Sequence, residues 1–216
     1  MSEVQVAHRE CATVVATAGC GKFRQWAARL ATRSTMLQGA PCLDLSDVAD
    51  WSNLPHPAWV KARLWDMLPE GVDRVVWLDA DVYPLRRMLL ADVPDDVYFA
   101  AMPESCEPPD CEKKKMPSLT GTYYNAGIFV ASRRSKSLFD VMKRKMHDLR
   151  QGCYYDQSWF NVLLGGKAYP LQTTWNWMID SDDPPAGTMN VHAAGLGGES
   201  RWKVLRALYA TGGVTC

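Results

Sequence analysis

Apolar residues recur at two different spacings that alternate along the chain. Cys11 to Ala16 is a short β-branched run ending at Thr17-Ala18-Gly19. Lys22 to Met36 follows, with Phe23, Trp26, Ala27 and Leu30 at helical spacing. Cys42 to Leu45 reads as a second strand. Pro57 suits the first turn of a helix, where its missing N–H would be unpaired anyway. Val60, Leu64 and Met67 give that helix one apolar face before Pro69 and Gly71 end it. Arg74 to Leu78 (RVVWL) is apolar on successive residues, which predicts a strand buried on both faces. Val97 to Met102 and Gly127 to Ala131 are further strands, and Ser135 to Arg150, Tyr155 to Leu164 and Arg201 to Tyr209 further helices. This alternation predicts a three-layer α/β domain around a mostly parallel sheet. No repeat or linker divides residues 1–216.

One stretch breaks the rhythm. Pro103 to Thr122 (PESCEPPDCEKKKMPSLTGT) is rich in Pro, charge and small residues and is too long for an idle connection. It is expected to be a mobile loop lying over the active site.

Composition narrows the class. A chain of 216 residues, 47% hydrophobic and 22% charged, has enough apolar material for a single folded core. With 24 basic and 24 acidic side chains it is not a globally basic nucleic-acid binder, although a local patch is compatible with that balance. Met1 to Glu10 is polar, and no apolar run reaches the length of a membrane span. These features predict a soluble, cytoplasmic protein with no membrane partner. The seven cysteines include no CxxC pair and read as free thiols, with Cys106 and Cys111 flanking a polar loop.

The chemistry is concentrated in Val75-Val76-Trp77-Leu78-Asp79-Ala80-Asp81. A buried strand delivers two carboxylates to its carboxyl end, the edge of an open α/β sheet where ligands bind. Side chains at i and i+2 of an extended segment point the same way, so both can address one ion. Carboxylate oxygens completed by water and phosphate oxygens suit Mg²⁺ or Mn²⁺. A surface or capping pair is the bland alternative, and the abrupt end of the apolar strand argues against it.

Around this motif the sequence resembles the GT-A glycosyltransferases, in particular the glycogenin-like and bacterial galactosyltransferase-like enzymes of family 8. Leu78-Asp79-Ala80-Asp81 matches their aspartate-x-aspartate element, Asn125-Ala126-Gly127 an Asn-Ala-Gly element opening a later strand, and Asp156-Gln157 a pair opening a helix. His192-Ala193-Ala194-Gly195 matches a His-x-x-Gly element near the end, and all four stand in family order. The resemblance implies a GT-A (Rossmann-like) α/β/α fold and transfer of a hexose from a nucleotide-diphosphate sugar such as UDP-glucose. It also implies a Mn²⁺ or Mg²⁺ ion on Asp79, Asp81 and His192, and retention of anomeric configuration. Thr17, Ala18 and Gly19 then hold the nucleoside, and Lys61 contacts the donor, with Arg63 a weaker candidate. Ala80, Ala126 and Gly195 belong to the donor-binding elements. Asn125 and Asp156 bind sugar hydroxyls, and Asp156 or Gln157 lies near the anomeric carbon; a helix cap is the simpler role for Asp156. Gly197 to Trp202 stands where the family carries Lys-Pro-Trp, so Arg201 or Lys203 supplies the phosphate contact. Gly19-Cys20-Gly21-Lys22 lacks the spacing and the Ser/Thr of a Walker loop.

The acceptor is read from aromatic and basic clusters. Trp175 and Trp177 flank Asn176 and are candidates to line an acceptor site, core packing being the alternative for at least one. Lys143, Arg144 and Lys145 sit in a basic stretch, and Lys113, Lys114 and Lys115 form a second cluster. Either they are a solvated face or they grip a polyanion through its phosphates. The second alternative resembles small bacteriophage glycosyltransferases that modify hydroxymethylpyrimidines in DNA. It makes hydroxymethylcytosine in DNA the first acceptor to test and a saccharide or protein hydroxyl the second; a viral source would place the chain in host cytoplasm. A sugar-nucleotide nucleotidyltransferase and a non-enzymatic binding module are the competing classes.

Overall fold

The computed structural model describes residues 12–147, 152–179, 184–194, 196 and 198–211. The strands are β1 (Thr13–Thr17), β2 (Cys42–Asp44), β3 (Arg74–Leu78), β4 (Val82–Pro84), β5 (Phe99–Ser105), β6 (Tyr123–Ser132), β7 (Tyr169–Pro170), β8 (Trp177–Met178) and β9 (Asn190–His192). The α-helices are α1 (Arg24–Gln38), α2 (Leu64–Met67), α3 (Asp110–Lys115), α4 (Lys136–Lys145), α5 (Asp156–Leu164) and α6 (Gly198–Thr211). The main sheet has the order β2-β1-β3-β6-β5-β7, and a small one the order β4-β9-β8.

All five residues of β3 are buried, because the strand has a core on each side. Val75 and Trp77 face one way, into a cluster with Phe99, Phe129, Phe139 and Phe160 that carries α2, α4 and α5. Val76 and Leu78 face the other way, with Leu30 of α1, Val82 of β4 and Trp175. Helices on one side, and α1 with the small sheet on the other, make the three layers. α6 closes the second side through Leu205 and Leu208, which meet Trp26 of α1 and Tyr83 of β4 respectively.

The sheet is mostly parallel, with one reversal that matters. β1 pairs in parallel with β2 and β3, and β5 with β7. β6 runs antiparallel to both β3 and β5. Its pairing Leu78↔Ile128, extended by the bond from Asp79 N–H to Gly127 O at 2.8 Å, lays Asn125-Ala126-Gly127 beside the acid pair. β6 is also longer than expected, since its first residues run beyond the end of β3 and pair with the end of β5.

Pro57 stands at the first turn as expected, but Pro57–Arg63 is a 3₁₀ helix that becomes α-helical only at α2. The His56 Nδ1 caps it by accepting from Ala58 N–H at 3.2 Å. The segment 103–122, expected as a loop, carries the end of β5 and α3, and packs Met116 and Leu119 against Tyr123. Glu112 of α3 is fully buried and accepts from Tyr154 N–H at 2.9 Å and Ser158 Oγ at 2.7 Å. It thereby anchors the turn before α5. Among the described residues five cysteines are free, Cys106 and Cys111 among them, and no helix is long and apolar enough to cross a membrane.

Phe129 is fully buried at the centre of the larger core, within ring contact of Trp77, Phe99, Phe139 and Phe160. Phe129→Ala should lower unfolding stability by about 3–5 kcal/mol, measured by urea titration. A loss below about 1 kcal/mol would mean that the aromatic cluster is not the chief core of the domain.

Candidate active site

A cavity of about 560 Å³ opens at the carboxyl ends of β1 and β3. Its wall combines the end of β1 (Ala18, Gly19), the acid turn (Asp79, Ala80, Asp81), the start of β6, the start of α5 and His192. Gly19 donates its N–H to Ser46 Oγ at 2.9 Å, and a side chain there would lie 2.4 Å from the Phe23 carbonyl oxygen. That contact explains a glycine in this turn. Thr17 is fully buried behind the wall rather than in it.

Three side chains converge at the acid turn. One ligand atom from each of Asp79, Asp81 and His192 lies within 4.8 Å of the others. The two aspartates follow β3 directly. His192 arrives from the far end of the chain because β9 pairs antiparallel with β4, setting His192 opposite Val82. The Ala193 N–H then bonds to the Asp81 carbonyl at 3.1 Å. His192 Nε2 faces Asp81 Oδ1 at 3.3 Å, and Arg201 Nη1 lies 3.2 Å from Asp81 Oδ2.

The donor set fits a divalent cation: two hard carboxylates and an imidazole suit Mn²⁺ or Mg²⁺. Charge points the same way. Among the described residues Asp79, Asp81, Glu104 and Asp156 line the cavity against Lys61 and Arg201, an excess of two negative charges when the histidines are neutral.

Lys61 is buried, and its Nζ reaches Asp79 at 2.9 Å, Asp156 at 2.9 Å and the Ala126 carbonyl at 3.0 Å. Burial works against the ammonium charge, but Asp156 and Asp79 outweigh it and hold the lysine protonated. Lys61 also lines the cavity, so its ammonium ties the acid turn, β6 and α5 together from within the wall. Asp156 is likewise buried at the first residue of α5 and is an ion-pair partner of Lys61.

Asn125 lines the cavity and is held by its own hydrogen bonds. Its Oδ1 accepts from Gly127 N–H and from Asn176 Nδ2, each at 2.8 Å. Its Nδ2 donates to Glu104 Oε2 at 3.2 Å. Gln157 bridges Ala126 N–H (2.9 Å) and Glu104 Oε2 (3.0 Å). A side chain at Gly127 would fall 2.0 Å from His192 Cε1, so the glycine of this element makes room for the imidazole.

Several expectations are corrected by burial. Trp175 is 1% exposed in the core behind the sheet, and Trp177 packs with Tyr83 and Val191 in the small sheet. Neither lines the cavity, because the chain turns their rings inward to fill the second layer. Lys143, Arg144 and Lys145 end α4, which packs on the larger core through Leu138, Phe139 and Met142, and they do not line the cavity either. Lys143 pairs with Asp66 at 2.7 Å. Lys203 is exposed away from the cavity, which leaves Arg201 as the base from this region. Gly195 lies outside the described residues.

Other groups escaped the sequence reading. Glu104 lines the cavity from β5. His56 and Tyr155 stack at its rim, ring centroids 3.7 Å apart and nearly parallel. Tyr155 takes φ of 51°, an unusual backbone for a non-glycine residue. No local pattern marks these residues; a strained aromatic next to a matched motif is the nearest signal.

Burial pushes the Asp156 carboxyl up to about 6, against the opposing pull of Lys61. The folded protein therefore holds this proton more tightly than the unfolded chain. The stability that follows is present below the ordinary value of 3.8 and is lost as pH rises to about 6. The metal-free Asp156→Asn variant should gain stability relative to wild type across that window, read by urea unfolding at stepped pH. A constant difference would show that Asp156 titrates normally.

Comparison with known proteins agrees with this geometry. No curated protein sequence matches the chain. A glycosyltransferase involved in glycosylation of the major capsid of PBCV-1 has 12% identity and a TM-score of 0.64, with 91% of this chain and 99% of that one covered. The galactosyltransferase LgtC, solved with donor and acceptor sugar analogues, has 16% identity and a TM-score of 0.62, covering 94% and 97%. GlyE of Streptococcus pneumoniae TIGR4 has 15% identity and a TM-score of 0.55, covering 93% and 64%. At these identities the likeness establishes the fold, the mixed α/β arrangement of the GT-A glycosyltransferases. The sequence profile of glycosyl transferase family 8 matches residues 22–193, from two residues before α1 to the residue after the site histidine, and the chain belongs to that family.

Proposed function

We propose that this glycosyltransferase moves a hexose from a nucleotide-diphosphate sugar, UDP-glucose or a close relative, to a hydroxyl acceptor. The observation that carries the reading is the convergence of Asp79, Asp81 and His192 in the cavity of a family 8 chain. A Mn²⁺ or Mg²⁺ ion held by those three would neutralise the charge that gathers on the departing diphosphate. Arg201 adds positive charge at the same end. Ala18 and Gly19 offer backbone to the nucleoside. Glu104 and Gln157 present polar atoms toward the sugar, and the Lys61-Asp156 pair fixes the floor beneath it. Family membership favours retention of anomeric configuration. It also sets aside the nucleotidyltransferase and binding-module readings.

For the acceptor, the rim favours a saccharide or a protein hydroxyl over hydroxymethylcytosine in DNA. Tyr154 and Tyr155 are partly exposed beside His56, and aromatic faces of this kind suit sugar rings. LgtC has been captured with an acceptor sugar analogue. The basic trio on α4 stands outside the cavity.

Nucleoside-diphosphate release from a panel of nucleotide sugars with Mn²⁺ tests the proposal. Release by wild type, reduced more than about 100-fold in a folded Asp79→Asn/Asp81→Asn variant, is expected. Undiminished release by the double variant would refute the metal role. Saccharide acceptors should stimulate release and hydroxymethylcytosine DNA should not. Stimulation by that DNA, weakened in a Lys143→Ala/Arg144→Ala/Lys145→Ala variant with a flatter salt dependence, would reverse the order of acceptors.

A further inference from the structure

The hydrogen bonds behind His192 form a chain in which each donor determines the next. The Gly127 N–H can only donate, so the Asn125 atom 2.8 Å from it is the carbonyl oxygen Oδ1. That oxygen can only accept, so Asn176 must turn its NH₂ toward it, also at 2.8 Å. The Asn176 carbonyl oxygen is then left facing His192 Nδ1 at 3.0 Å. An oxygen acceptor at that distance requires Nδ1 to carry a proton. In the neutral ring the lone pair then belongs to Nε2, the atom that faces Asp81.

From this chain we infer that Asn176, fully buried and outside the cavity wall, is a positioning residue that fixes the tautomer and the plane of the His192 imidazole for the metal. The inference rests on the metal reading above and extends it to a residue that touches neither ion nor donor. Its origin is a single backbone N–H in the main sheet. The orientation passes from Gly127 of β6, through two amides, to the end of β9 in the small sheet. The same glycine leaves the space that the ring occupies. The Asn-Ala-Gly element thus serves the metal histidine twice, once by direction and once by volume.

Asn190 supplies a control, because its Nδ2 holds the Trp175 carbonyl at 2.9 Å, one residue from Asn176, without contacting His192. Mn²⁺ uptake without donor is followed by EPR titration, and the His192 tautomer by ¹⁵N NMR of the metal-free protein on the high-pH plateau of the ring signals, where the imidazole is neutral. Wild type should bind Mn²⁺ and show the Nδ1-protonated ring. Asn176→Ala should bind roughly 10–100-fold more weakly and lose that tautomer while remaining folded. Asn190→Ala should leave affinity and tautomer unchanged. Equal losses in Asn176→Ala and Asn190→Ala would reduce Asn176 to packing, and an unchanged tautomer in Asn176→Ala would overturn the inference outright. No Mn²⁺ uptake by wild type would sink the metal reading itself, a result separable from either.

Discussion

The ammonium of Lys61 has three N–H groups and meets three acceptors: the carboxylates of Asp79 and Asp156 and the carbonyl of Ala126. These belong to the turn after β3, the start of α5 and the start of β6, while the lysine comes from the helix at 57–63. One buried charge therefore ties together four segments that are distant in sequence. Leaving the Asp156 carboxylate, its side chain 5% exposed, without the lysine would cost several kcal/mol. Asp79 also accepts from Trp77 Nε1 at 2.7 Å, so its carboxylate is held from two sides before any ligand enters. A carboxylate fixed in this way loses little freedom when it takes up an ion.

The register of β6 carries the same order further. Asn125 and Gly127 are two residues apart on one strand, so both address the same side. A slip of one residue would turn them to the opposite face and deprive His192 of its space and its hydrogen-bond chain together. The antiparallel direction is equally necessary. In a parallel strand the residues beside Asp79 would be the last of the strand, and the element would have to be encoded at its other end.

This distinction decides what the sequence could reveal. RVVWL announces double burial because every residue is apolar, and LDAD announces a site because the acids end that run abruptly. The reversal of β6 leaves no periodic trace, since alternation looks alike in either direction. Asn176 was invisible for a different reason: its partners lie 51 residues before it and 16 after it, joined through strands of two and three residues. The polar segment at 103–122 misled by composition. Glu112 stands among lysines and prolines, and only the donors at Tyr154 and Ser158 make its burial favourable. Trp175 misled in the converse sense, because an aromatic ring can fill a core as well as stack on a sugar, and which it does depends on the layer behind it.

The two cavity bases divide the electrostatic work unequally. Lys61 is enclosed, its side chain 5% exposed, and held by Asp79, Asp156 and the Ala126 carbonyl. Arg201 keeps 26% of its side chain exposed and makes one ion pair, to Asp81. A guanidinium has five N–H donors, so Arg201 can hold Asp81 and still present N–H groups to a phosphate. In the proposed reaction the departing diphosphate is therefore met by Arg201 and the cation, while Lys61 keeps the carboxylates beneath them in place. Arg201 also bonds through Nε to the Leu196 carbonyl at 3.1 Å, which fixes the direction of its fork. Arg201 stands on α6, a helix packed on α1 and the small sheet, so its charge is carried by a packed element.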